Sequence, residues 1–349
     1  MRSLHTVALS ILLTAGLAAC GEKKAQEPAA EKVAVEKVAD PVDEAAMKAI
    51  EEAKAEKKAE AAADDKCAVF VPPWGDGSWI EWGQQNPEAG EEWYDTIEEK
   101  MKKADLSVIP ECKDLEYMFV GFSEMPDLTP LKDLTNLKRL DLRMMPQIKD
   151  LTPLEELENL EYLNITGTGV EDLSPLAELT ELVELEARMT TIKDLAPLAR
   201  LPKLISVDVL KCPVSDVTAL AESPSLEKAL LCTTDVEDID PLKKIADRLT
   251  ALDLCDSRFR DFEDLRDFPR LDFLRLWGLP IEDLTVLEGM TELEDLDLSK
   301  TPVKDLTPLH KLKKLKILRL LMVEIDPKQI EDLKKAVPGV EVMQKVTAN

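Results

Sequence analysis

The chain contains 349 residues with 70 acidic and 44 basic side chains, which gives a formal net charge of −26. Because proteins bind the phosphates of DNA and RNA through clustered Lys and Arg, this charge argues against a nucleic-acid partner. Hydrophobic residues still make up 45% of the chain, and acidity of this kind is typical of the solvated surface of a folded domain.

The first twenty residues form a targeting segment. Arg2 supplies a basic start, and residues 7–13 are mostly apolar, a stretch too short to span a membrane as a stable helix. The run LAAC at 17–20 resembles the lipobox of bacterial lipoprotein precursors. This resemblance implies a signal peptide at 1–19, cleavage before Cys20 and acylation of Cys20, and more than one acyl chain would anchor the protein stably. The alternatives are an ordinary signal peptide and an uncleaved anchor.

Two further segments precede the repeats that begin at residue 113. Residues 20–66 are mainly Ala, Glu, Lys and Val, and they predict a flexible tether because they offer too little apolar surface to fold alone.

Residues 67–112 contain four of the five tryptophans and predict an N-terminal cap that covers the apolar end of the first repeat. These tryptophans are Trp74, Trp79, Trp82 and Trp93. The alternative is an exposed aromatic site for a sugar or peptide. Cys67 and Cys112 bracket the cap, and a disulfide between them would close it.

Two blocks alternate with a fixed period through the rest of the chain. DLTPL or a close variant begins at nine positions, each 22 or 23 residues after the last: 127, 150, 172, 194, 216, 238, 261, 283 and 305. Between them lie blocks such as LKRLDL at 137–142, whose apolar first, fourth and sixth positions fit a short strand buried on one face. A Thr, Ser or Asp before Pro predicts a short helical turn on the return path. The pattern predicts an α/β solenoid, with a curved parallel β-sheet on the concave face and short helices or 3-10 turns on the convex face.

The two blocks in register resemble bacterial leucine-rich repeats of the internalin type over residues 113–343. The resemblance implies repeats at 113–325 and a C-terminal cap and tail at 326–349. Internalin repeats usually carry Asn in the turn after the strand. Here small side chains replace it, and we expect them to satisfy buried backbone groups: Thr168, Thr190, Cys212, Thr234, Ser257 and Thr301. The chain has nothing resembling an immunoglobulin-like domain or wall-sorting tail, so a role in host-cell invasion does not carry over.

A partner-binding site is predicted on the concave face, where the third and fifth residues of each strand block and the residues that follow point away from the core. Apolar residues at these positions are not needed to fill the hydrophobic core, and a combination of Trp and Arg is typical of interface hot spots. The candidate residues are Leu210, Leu230, Cys232, Cys255, Phe273, Arg275 and Trp277. Cys232 and Cys255 also hold equivalent places in adjacent repeats, within disulfide range of each other. Cys212 is expected to be a buried, inert thiol.

Catalytic and metal sites find little support in the sequence. The Asp that opens each DLTPL block lies two residues before a helix start, where a carboxylate accepts backbone N–H bonds, so a structural role is favoured over calcium binding. His310 lies on a convex helix, away from the concave cysteines, so a Cys/His pair cannot form. No phosphate-binding glycine loop or HExxH motif is present. We therefore expect no enzyme activity, no metal and no cofactor.

The sequence as a whole predicts a monomeric leucine-rich repeat lipoprotein of the bacterial cell envelope. A lipid would hold it on a membrane, with the outer membrane or cell surface favoured, and the concave sheet would bind a protein or peptide. One alternative is a structural or adhesive envelope protein that uses its acidic surface or Trp-rich cap. A thiol-redox or hydrolytic envelope enzyme is the other.

Overall fold

A computed structural model describes residues 67–71 and 97–344, and its eleven strands form one sheet. All the strands are parallel, and their order in the sheet is their order in the chain. They are β1 Tyr117–Phe119, β2 Arg139–Asp141, β3 Tyr162–Asn164, β4 Glu184–Glu186, β5 Ser206–Asp208, β6 Lys228–Leu230, β7 Ala251–Asp253, β8 Phe273–Arg275, β9 Asp295–Asp297, β10 Ile317–Arg319 and β11 Glu341–Met343. The predicted signal peptide, the tether and the four cap tryptophans lie outside the described residues.

The sheet is in register from end to end because each strand block repeats the same pattern. Leu140 of β2 pairs with Leu163 of β3, which pairs with Leu185 of β4, and all three are fully buried. The middle residue of each strand thus points into one core that runs along the whole array. The predicted α/β solenoid is confirmed. The last strand, β11, lies within the segment 326–349 that was predicted as the C-terminal cap and tail.

The return segments are short helical turns, mostly of the 3-10 type. The described region also contains α-helix at residues 97–102 and two complete α-helices, α1 Thr218–Glu222 and α2 Pro327–Ala336. The 3-10 turns are Ala68–Phe70, Leu106–Glu111, Thr129–Leu131, Thr152–Leu154, Ser174–Leu176, Ala196–Arg200, Asp240–Ile245, Phe262–Asp267, Leu284–Leu287 and Thr307–Lys311. The tight i to i+3 bonding suits a return path of only a few residues.

The repeated aspartates start these turns. Oδ1 of Asp150 accepts a hydrogen bond from the backbone N–H of Thr152 at 2.8 Å, and Asp172 does the same with Ser174. These hydrogen bonds lower the pKa of both carboxyl groups. The structural role predicted for these carboxylates is therefore present in the fold. Asp261 is an exception, because its side chain makes no such bond.

Most of the small side chains that follow the strands satisfy backbone carbonyl groups, as predicted, whereas Oγ of Ser257 accepts from the backbone N–H of Phe259 at 3.4 Å. Thr168 donates from Oγ1 to the carbonyl oxygen of Ile165 at 2.7 Å, and Thr234 donates to Leu231 at the same distance. Cys212, a buried free thiol, donates to the carbonyl oxygen of Ala187 at 3.0 Å. Burial raises the pKa of this thiol, which fits the inert role expected for it.

Candidate functional site

The concave face is built from the first and third residues of every strand. In β4, Leu185 points into the core, while Glu184 and Glu186 point to the opposite side of the sheet. Because successive strands are in register, these residues form columns that cross the sheet. The concave face is therefore a fixed pattern of side chains on neighbouring backbones.

The N-terminal half of this face, from β2 to β5, carries a polar network. Asn164 of β3 donates from Nδ2 to Oε2 of Glu186 on β4 at 2.9 Å. Arg188, just after β4, donates from Nε to Oδ2 of Asp208 on β5 at 2.7 Å. Each bond joins two neighbouring repeats, so the network fixes the side chains that a partner would meet.

The C-terminal half places a buried arginine between two carboxylates. Nη1 of Arg275 lies 3.6 Å from Oδ2 of Asp253 on β7, and Nη2 lies 3.4 Å from Oδ2 of Asp297 on β9. Arg319 pairs in the same way with Asp295 on the preceding strand. Charged residues line the strands here, but they are paired across the sheet and shielded from solvent.

Burial raises the pKa of the concave carboxyl groups of Glu184, Asp208 and Asp253, and the shifts at Glu184 and Asp253 are large. Burial and the neighbouring charge of Glu186 raise the pKa of Glu184 to about 7. Burial raises the pKa of Asp253 to about 6, although Arg275 partly offsets it. Both groups therefore titrate closer to neutral pH than exposed carboxyl groups do.

The structure places the seven predicted contact residues on the concave side, but most of them are closed off from solvent. Leu230 and Phe273 pack with Ala251 in a small hydrophobic cluster separate from the main core. Arg275 is only 1% exposed. Leu210 and Trp277 are the two that remain half-buried. The other five side chains pack against their neighbours and are shielded from solvent. Of the seven predicted contact residues, Leu210 and Trp277 are therefore the two with side chains partly exposed to solvent.

The two predicted disulfides are both present. Cys67 bonds to Cys112 with a Cα–Cα distance of 5.6 Å, and Cys232 bonds to Cys255 with 4.5 Å. The second bridge joins the ends of β6 and β7 on the concave side and is almost entirely buried.

One cluster among the described residues has the composition of a metal site. The ligand atoms of Cys232, Asp253 and Cys255 lie within 4.8 Å of one another. Both sulfur atoms are bonded to each other, so neither is a free thiolate in this state. His310 lies on the convex turn Thr307–Lys311 and takes no part in the cluster. Within the described residues, no helix has both the length and the apolar character needed to cross a bilayer.

Sequence reasoning did not use the residue just before each strand, which lies at the border of the concave face. Val183 and Ile205 occupy this position before β4 and β5, and both are half-buried and separate from the core. Glu161 and Glu227 occupy it on the two flanking repeats and are exposed. The sequence does contain a sign of this feature, because Val183 and Ile205 are two aliphatic residues at a repeat position that is otherwise mainly polar. That position lies next to the strand positions from which the concave contacts were predicted.

The fold matches several solved leucine-rich repeat structures. An internalin, InlF, of Listeria monocytogenes aligns with a TM-score of 0.60 and 24% identity over 70% of this chain and 71% of that one. A leucine-rich repeat protein of Leptospira interrogans gives 0.55 and 18% over 67% and 74%. A plant peptide hormone receptor gives 0.51 and 14% over 67% and 41%. No family model matches the chain, and no curated protein matches it. These likenesses show the leucine-rich repeat fold.

Proposed function

We propose that this chain is a membrane-anchored lipoprotein whose concave face binds a protein or peptide partner without chemistry. The observation that carries the proposal is the row of concave side chains that has no part in the core and is held in place by bonds between repeats. A surface fixed before binding loses little conformational entropy when a partner docks. Rigid presentation of this surface is the mechanism.

Leu210 and Trp277 are the accessible members of the predicted contact set. Both follow the strands on the concave side, and the Trp277 ring lies 6.0 Å from the ammonium group of Lys300. A half-buried Trp beside buried neighbours matches the composition of an interface hot spot. Leu230, Cys232, Cys255, Phe273 and Arg275 would support these two from beneath.

A structure with the same fold supports the class of partner. The plant peptide hormone receptor, RGFR1, was solved in complex with RGF2. The likeness is one of fold, so it supports a protein or peptide ligand for this architecture and does not identify one. A solenoid offers such a ligand an extended wall in place of a closed pocket.

The lipobox-like run ending at Cys20 supports an anchor in the bacterial cell envelope, with the outer membrane or cell surface favoured. Acylation there would leave residues 20–66 as a spacer between membrane and repeats. Radiolabelled fatty acid incorporation tests the anchor directly. Wild type should incorporate label, and Cys20→Ser should not.

The two other functions make different demands. A thiol-redox enzyme needs an accessible, reactive cysteine, whereas Cys255 is fully buried and Cys232 nearly so. An adhesive envelope protein would act through the acidic surface or through the Trp-rich cap, and deletion of the concave contacts would leave its activity intact.

Site-specific photo-crosslinking in cells tests the binding face. A crosslinking residue at Leu210 or Trp277 should capture a discrete partner, and one at convex Glu178 should not. The same partner captured equally from both faces would contradict a concave binding site. Capture that requires residues 67–112 but not the concave face would support the adhesive alternative.

A further inference from the structure

The residues just before β3, β4, β5 and β6 form a continuous stripe across the sheet. Backbone N–H groups link them in order: Val183 donates to Glu161 at 2.8 Å, Ile205 to Val183 at 2.8 Å, and Glu227 to Ile205 at 2.9 Å. The stripe therefore reads acid, aliphatic, aliphatic, acid on four neighbouring repeats. Glu184 lies beside Val183 in the sequence and adds a third carboxylate on the concave side.

The aliphatic centre of the stripe has no partner inside the protein core. Val183 and Ile205 are half-buried, and neither belongs to the main hydrophobic cluster or to the residues packed against it. A pair of adjacent aliphatic side chains on an otherwise polar edge is a small apolar surface open to contact.

The acidic ends of the stripe differ from the same position in two other repeats. Glu116 pairs with Lys138 at 2.9 Å, and Glu294 pairs with Lys316 at 2.6 Å. Within the described structure, Glu161 and Glu227 have no ion pair, and neither does Glu184. Among the described residues, two carboxylates of this column are thus paired with the Lys that follows them in it, whereas Glu161 and Glu227 are not, and neither is Asp272 before β8.

We propose that the stripe of Glu161, Val183, Glu184, Ile205 and Glu227 docks a cationic segment of a protein partner. In this segment, two aliphatic side chains are flanked by Lys or Arg. The aliphatic residues cover Val183 and Ile205, and the flanking cations meet the carboxylates at either end. The inference rests on the proposed concave binding function and names the chemistry of its partner.

The dimensions of the stripe set the spacing in that segment. Three strand spacings separate Glu161 from Glu227, or about 14 Å. An extended peptide rises about 3.3 Å per residue, so the two cations stand about four or five residues apart. A single extended segment crossing the strands can therefore meet both ends at once.

The charge around Glu184 makes this contact dependent on pH. Charged and titratable groups face it from its own repeat and from the two nearest strands on each side, β2, β3, β5 and β6: Glu186, Arg188, Tyr162, Arg139, Asp208 and Lys228. Arg139 already lies over the Tyr162 ring at 4.2 Å, and Arg188 is bonded to Asp208. With a pKa of about 7, Glu184 is ionised above neutral pH and protonated below it. A cationic partner favours the ionised form, so binding should weaken as the pH falls.

Two short peptides and two double variants of the full chain test the docking chemistry. One peptide carries a Val-Ile pair flanked by lysines at the stated spacing, and the other carries glutamates in their place. At low salt and about pH 8, the lysine peptide should bind at least about tenfold more tightly. Glu161→Lys with Glu227→Lys should reverse this preference. Glu156→Lys with Glu178→Lys makes the same change of net charge on the convex side and should leave the preference intact.

The pH series supplies a second readout. Between about pH 8 and about pH 6, affinity for the lysine peptide should fall up to about tenfold, and Glu184→Gln should remove most of that fall. Equal affinity for both peptides, binding of neither, or the same response in both double variants would overturn the inference. Crosslinking at Leu210 separates the two proposals. A partner still captured by the Glu161→Lys/Glu227→Lys chain would retain the concave function and reject the cationic segment.

Discussion

Arg188 and Asp208 join two neighbouring repeats through a hydrogen-bonded ion pair at 2.7 Å, with only 16% and 4% of their side chains exposed. The pair lies on the concave side of the sheet, where burial raises the pKa of Asp208 and the charge of Arg188 lowers it. The Asp208 carboxylate therefore depends on the Arg188 guanidinium to remain charged. The concave face owes its fixed shape to contacts of this kind.

Breaking this pair should destabilise the fold. We expect Arg188→Met to lower the free energy of unfolding by about 3 kcal/mol, because Asp208 is left buried without its counter-charge. Urea denaturation at neutral pH measures the loss. The control is Lys203→Met, which breaks an exposed pair with Glu181 and should cost less than about 0.5 kcal/mol. Equal costs for the two variants would contradict a special role for the buried pair.

Stability should fall as the pH rises from about 4.5 to about 7. The pKa of Glu184 is about 7 in the folded chain against an ordinary value of 4.5, so the folded state holds a proton that the unfolded state has already lost. The folded state binds more protons in this window, and its stability therefore decreases with rising pH. Asp253 has a pKa of about 6, also above its ordinary value, so it too makes the free energy of unfolding decrease as the pH rises.

Glu184→Gln isolates the contribution of this carboxyl group. Below about pH 4 the variant should match wild type, and above about pH 7 it should be the more stable of the two. Urea titrations at a series of pH values give the comparison, with Glu178→Gln on the convex side as the control. If the free energies of unfolding of the variant and wild type differed by the same amount at every pH, Glu184 would not be the titrating group.

The buried bridge between Cys232 and Cys255 should stabilise the array without reacting. It closes a separation of 23 residues, worth about 3 kcal/mol on the chain-entropy account. Cys232→Ser with Cys255→Ser should lose about that much in the oxidised protein. In native buffer, alkylation after a mild dithiol treatment should leave both cysteines unlabelled until the chain is unfolded. Rapid labelling of the folded protein would instead favour a thiol-redox role.

The sequence predicted those parts of the molecule that repeat. Each leucine, turn and capping Asp occurs many times, so the α/β solenoid and the Cys232–Cys255 disulfide followed from position within the repeat. The Cys67–Cys112 disulfide followed from the place of these two residues at either end of the cap. The exposure of the concave face was harder to predict, because its side chains do not repeat. Phe273 and Arg275 face away from the core as expected, but their length lets them lie across neighbouring strands and close the surface. The alternating pattern of the strands does not predict the exposure of Val183 and Ile205, because each lies one residue before its strand begins.

The capping aspartates offer a matched comparison within one chain. Oδ1 of Asp172 accepts bonds from both the backbone N–H and the hydroxyl of Ser174, at 2.8 and 2.6 Å, whereas Asp261 makes no capping bond. Asp172→Ala should therefore cost about 1 kcal/mol, and Asp261→Ala should stay within about 0.5 kcal/mol. Because hydrogen bonding lowers the pKa of Asp172 below its ordinary 3.8, its contribution is present above that pH and is lost as the pH falls further. The wild type and Asp172→Ala should then converge in strong acid. Adding calcium tests the alternative role of these aspartates. If they bound calcium, the ion would stabilise wild type more than Asp172→Ala. If Asp172 acts only as a structural cap, the difference in free energy of unfolding between the two proteins should be the same with and without calcium.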